Sequence, residues 1–75
     1  MIDNVNNPMH YARDGMEAID AIEAMTSRMS GCYAPHAANV MKYAWRFEYK
    51  NGLEDIDKGI WYFNRLRGVW LRNHP

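Results

Sequence analysis

A chain of 75 residues holds one domain, and a domain of that size buries only a modest core. Nine basic residues balance nine acidic ones, so the formal net charge is zero and bulk charge excludes a general nucleic-acid binder. A single cysteine excludes an intrachain disulfide, and the absence of any run of about 18 apolar residues excludes a helical membrane span. The first residues, MIDNVNNPMHY, lack the basic-then-apolar order of a secretory signal. With one thiol, Cys32, this pattern predicts a reducing cytoplasm.

Residues 1–15 are rich in Asn, carry Pro8 and Gly15 and lack periodicity, which predicts an irregular arm. Helix 1 is predicted over 17–29. Ile19, Ile22, Met25 and Met29 recur at spacings of three and four, with Ala18 and Ala21 beside them, and Ser30-Gly31 supplies the stop. Pro35 suits the first turn of helix 2, predicted over 36–49 and closed by Asn51-Gly52. Helix 3 is predicted over 53–73, with Glu54 and Asp55 in its first turn and Leu53, Ile56, Ile60, Phe63 and Leu66 or Arg67 on its inner face. Gly59 suggests a close helix crossing, and Gly68 a bend or fraying. No strand pattern is visible. The expected fold is all-α: three helices behind an irregular N-terminal arm, with helices 2 and 3 as an antiparallel hairpin. Three Trp, five Tyr, two Phe and six Met exceed what one small core can take, which predicts a homo-oligomer.

Helix 2 carries Asn39, Lys42, Tyr43, Arg46 and Lys50 at i, i+3, i+4, i+7 and i+11, one face of a helix. Ala37, Val40, Met41, Ala44 and Trp45 fall opposite, as core. The polar stripe spans roughly 16 Å, long enough for a nucleotide with its phosphates. Arg46 offers a planar fork for phosphate, Lys42 and Lys50 are mobile point charges, Tyr43 can stack on a base, and Asn39 can read a polar edge. The same residues also fit a solvated helix face, and periodicity alone favours solvation. Asp55 is placed to orient Arg46 or a lysine across the hairpin, or to form an ordinary surface ion pair.

Other constellations are weaker. Glu17-x-x-Asp20 and Glu54-x-x-Asp57 put carboxylates on one helix face, where facing pairs could hold Mg²⁺, as in all-helical nucleotide pyrophosphatases. Such pairs arise easily in helices, and caps and surface charge at helix starts are the favoured explanation. Cys32 and His36 offer two ligands where structural zinc needs four, so no metal site is expected from them. No Gly-rich phosphate loop and no nucleophile–base pair is present, which leaves catalytic residues unassigned. Arg65, Arg67 and Arg72 beside a helical hairpin suggest DNA only faintly at zero net charge.

The segments Asn7-Pro8-Met9-His10-Tyr11, Gly15-x-Glu17-x-Ile19-Asp20, Asn39-Val40-x-Lys42-Tyr43-x-Trp45-Arg46, Lys50-x-Gly52-Leu53-Glu54-Asp55 and Lys58-x-x-Trp61-Tyr62 together resemble a family of small bacteriophage proteins catalogued as a domain of unknown function. A similar domain lies within the nucleotide kinase of phage T7, which lacks the usual phosphate-binding loop. The resemblance implies a phage-encoded protein in the cytoplasm of the infected host, and nucleotide chemistry. It marks His10, Tyr11, Asn39, Lys42, Tyr43, Arg46, Lys50 and Asp55 as ligand-binding positions. The expectation is a phage accessory protein that binds a nucleotide or nucleotide-like phosphorylated ligand, for nucleotide metabolism or to sequester a host defence signal. A nucleotide kinase or Mg²⁺-dependent pyrophosphatase, and an inhibitor that binds a host protein, are the alternatives. Mg²⁺ enters only with the enzymatic alternative.

Overall fold

The computed structural model describes residues 12–13 and 15–75. The elements run β1 (Ala12–Arg13), β2 (Met16–Glu17), α1 (Ala18–Thr26), α2 (Ala34–Arg46) and α3 (Leu53–Asn73). Three helices carry the fold, as expected, and α2 and α3 form its most extensive packing. The strands differ from the expected irregular arm. β1 and β2 pair antiparallel, Ala12 opposite Glu17 and Arg13 opposite Met16. Gly15, with φ of 80°, turns the chain between them, a conformation that costs glycine little.

The α1 helix stops at Thr26, short of the Ser30-Gly31 pair. Two hydroxyls end it first: Thr26 Oγ1 donates to the Ile22 carbonyl at 2.8 Å and Ser27 Oγ to the Ala24 carbonyl at 3.0 Å. Ser30 then accepts from the amides of Tyr33 and Ala34, so α2 begins at Ala34 with Pro35 in its first turn. It closes at Arg46. The Gly52 amide donates to the Phe47 carbonyl at 2.8 Å, and Gly52 takes φ 54° and ψ −120° to launch α3. No fraying occurs at Gly68; α3 is continuous to Asn73. Gly59 does lie against α2, where a Cβ would sit 3.6 Å from that of Tyr43.

The expected inner face of α3 is the largest correction. Leu53, Ile56, Ile60 and Phe63 are exposed, Leu53 by 70% and Phe63 by 60%. The row that meets α2 is Asp55, Gly59, Tyr62, Leu66 and Val69, all buried or half-buried. One residue along a helix is about 100° around it, so anchoring Asp55 inward turns Ile56 toward the flank. On α2, Ala37 is buried and Val40, Met41 and Trp45 are half-buried, as the apolar stripe predicts, but Ala44 is exposed. Tyr43 and Arg46, read as an outward stripe, are buried. Among the described residues the buried apolar side chains are Ala21, Ala37, Tyr43 and Val69. That is a thin core, and the shape agrees: the radius of gyration is 13.9 Å, against about 11 Å for a compact chain of this length. Among the described residues no helix is long and apolar enough to cross a membrane.

Candidate functional site

Asp55 organises the turn between α2 and α3. Its carboxylate is fully buried and accepts from Arg46 Nε at 3.2 Å and Arg46 Nη2 at 3.1 Å. The backbone amide and side-chain amide of Asn51 each donate to it at 3.3 Å. Of the two options left open for Asp55, the structure shows the orienting one, and the ion pair is buried instead of superficial. Burial pushes the Asp55 carboxyl up. The hydrogen bonds from Arg46 and Asn51, with the charge of Arg46, outweigh that and hold it below the usual carboxylate range. Sequence reasoning missed Asn51 as a member of this cluster. Its signal was local: an Asn four residues before a buried Asp, in the turn itself.

This pairing changes the task of Arg46. Asp55 takes the Nε and Nη2 edge of the guanidinium and so fixes the plane in which Arg46 presents its charge. The guanidinium carbon lies 4.9 Å from the centre of the Tyr43 ring. Lys42 Nζ stands 5.2 Å and Lys58 Nζ 5.9 Å from the same ring. Tyr62 stacks on Tyr43 with centroids 5.9 Å apart and planes 19° from parallel. An aromatic pair is thereby ringed by positive charge, contributed by both helices. Lys42 is exposed, and Lys58 shares its ammonium with Glu54 at 3.4 Å in an exposed pair that contributes little to stability. Lys58 and Tyr62 were not assigned to the ligand; their place beside Tyr43 comes from the hairpin's pairing, which no single-helix period reveals.

The remaining expected positions are less convergent. Asn39 spends its amide on its own helix, donating to the Pro35 carbonyl at 2.9 Å. Lys50 is exposed in the turn. His10 and Tyr11 lie outside the described residues. Among the described residues no group of three His, Cys, Asp or Glu comes together to hold a metal, and the pairs Glu17/Asp20 and Glu54/Asp57 make no such group. Cys32 is an exposed free thiol.

The profile of the family described as protein of unknown function (DUF3310) matches residues 5–64. The chain belongs to this family. The matched span takes in α1, α2 and the first half of α3, hence Asp55, Arg46 and the cations around Tyr43. No curated protein and no solved structure matches the chain.

Proposed function

We propose that the protein binds a nucleotide or nucleotide-like phosphorylated ligand on the cationic and aromatic face of the α2–α3 hairpin. The observation that carries this reading is the gathering of Lys42, Arg46 and Lys58 within 6 Å of the Tyr43 ring, with Tyr62 stacked beside it. Lys42 and Lys58 neutralise phosphate, and Tyr62 offers its ring to the base. Arg46 supplies a fixed positive field, oriented by Asp55. Binding of this kind needs no catalytic base and suits either nucleotide metabolism or sequestration of a signalling nucleotide. A phage accessory role in the host cytoplasm is part of this proposal, and its support is the resemblance of the sequence motifs to small bacteriophage proteins. Kinase or pyrophosphatase turnover is the competing outcome.

The open flank of α3 supports the second element of the reading, self-association. Leu53, Ile56, Ile60 and Phe63 lie exposed together along this flank, a contiguous apolar patch of the kind that marks an interaction surface. Val40, Ala44, Phe47, Ile56 and Ile60 line a largely apolar groove there together with Tyr43 and Asp55, whose charge is buried and paired with Arg46, and such a face meets its own copy with little charge repulsion. A second copy of this chain is therefore its occupant.

A thermal-shift screen with mono-, di-, tri- and cyclic nucleotides tests the ligand. At about 100 times its dissociation constant a ligand adds roughly 2.7 kcal/mol to stability. A rise in Tm with at least one nucleotide, without product formation, is the expected result. A flat response across the panel contradicts the reading, and Mg²⁺-dependent turnover replaces it with the enzymatic one.

A further inference from the structure

A second cleft, separate from the Tyr43 cluster, opens where the end of α1, the start of α2 and the second half of α3 meet. Its volume is about 580 Å³, within the range of small-molecule sites. Phe63 and Leu66 give it an apolar floor, Tyr33 and Trp70 an aromatic wall, and Arg28 and Arg67 bring two guanidiniums to it. The wall is held in place. Asn73 Nδ2 lies 3.1 Å from the Tyr33 hydroxyl oxygen, and Tyr33 and Trp70 sit with centroids 5.9 Å apart and planes tilted by 38°. His74 stacks on Trp70 at 3.7 Å, and its Nδ1 lies 3.0 Å from the Trp70 carbonyl oxygen. Arg28 and Arg67 form no ion pair with a carboxylate among the described residues.

We infer that this cleft is a binding site for a planar aromatic ring that carries an anionic group. The chemistry divides cleanly. An apolar floor and an indole take up a flat ring, and two arginines without an acidic partner in the described structure leave a surplus of positive charge. A neutral ring forgoes the arginines, and a bare phosphate forgoes the wall and floor. Neither alone uses the whole cleft. The arginines come from different elements, Arg28 from the turn after α1 and Arg67 from α3, so the site exists only in the folded chain. Arg67 and Trp70 lie three apart on one face of α3, and Tyr33 reaches them from the cap of α2.

Titration of the ¹⁵N-labelled full chain with 1-naphthyl phosphate, 1-naphthol and inorganic phosphate tests the site, with the Trp70 indole signal as the readout. Trp70→Phe assigns that signal. The expected result is a saturable shift with naphthyl phosphate, at least about tenfold weaker binding of naphthol and phosphate, and a loss of about tenfold in R28Q and again in R67Q. Both arginines are exposed, so circular dichroism should show the helices intact in the variants. R67K should recover part of the affinity, which a purely structural role would not require. K42Q/K58Q should leave the Trp70 shift unchanged, whatever becomes of nucleotide binding at the Tyr43 cluster. An unmoved Trp70 signal overturns the inference, and so does naphthol binding as tightly as its phosphate. A Trp70 signal that depends on protein concentration and ignores all three probes assigns the cleft to a contact between copies and likewise overturns it.

Discussion

Asp55 shows how one carboxylate can set both a turn and the roll of a helix. Its oxygens take four hydrogen bonds, two from Arg46 and two from Asn51, and no buried side-chain nitrogen or oxygen among the described residues is left without a partner. The folded-state pKa of Asp55 is lowered. Its contribution to stability is therefore complete above the unfolded value of about 3.9 and is lost as pH falls through the lower folded value. Melting curves between pH 7 and pH 2 should show a decline below about pH 4, and Asp55→Asn should flatten that decline while lowering Tm at pH 7. A variant with an unchanged acid limb would remove Asp55 from the account. Arg46→Lys keeps the charge but loses the two-point geometry, and should fall between wild type and Arg46→Ala in Tm.

At the scale of elements, the glycines separate into distinct roles. Gly52 holds a positive φ with ψ near −120°, a region other residues enter only under strain. Gly52→Ala should cost about 1–3 kcal/mol, read from urea unfolding. Gly68 lies inside a continuous helix with open space where a Cβ would go, so Gly68→Ala should add up to about 1 kcal/mol by the same assay. Helix existence was legible because apolar residues recur at helical spacing and because Pro35 and Asn51-Gly52 punctuate the chain. Helix orientation was not. The apolar row Leu53, Ile56, Ile60 and Phe63 looked like the inner face, but the buried row passes through Asp55, a charged residue that periodicity assigns to solvent. The hairpin at Gly15 was missed because each strand has only two residues, too few to show alternation, although Asp14-Gly15 is a common turn pair. The cluster around Tyr43 was half legible. Lys42, Tyr43 and Arg46 share a helix face, whereas the contributions of Lys58 and Tyr62 depend on the pairing of two helices.

At the scale of the molecule, the proposed self-association rests on a thin core beside a broad apolar flank among the described residues. Ile56 is 41% and Ile60 54% exposed, so a charge at either position is tolerated by an isolated chain and opposed at an interface. Ile56→Asp and Ile60→Asp should each reduce the mass measured by light scattering toward 8.8 kDa while leaving helical circular dichroism in place. Wild-type protein already at that mass would overturn the self-association reading, and a flank engaged only by a different protein would replace it. Tyr43 lines the same groove as the isoleucines and also carries Lys42 and Lys58 beside its ring, so nucleotide affinity measured in these variants shows whether ligand binding and assembly are coupled.

The most direct test of nucleotide binding at the Tyr43 cluster is calorimetric titration of wild type and K42Q/K58Q with the nucleotide that raises Tm most. The account predicts saturable binding by the wild type, a loss of at least about tenfold in the double variant, and a weaker dependence on salt once those charges are gone. Equal affinity in the two proteins, or no binding by the wild type, would contradict it.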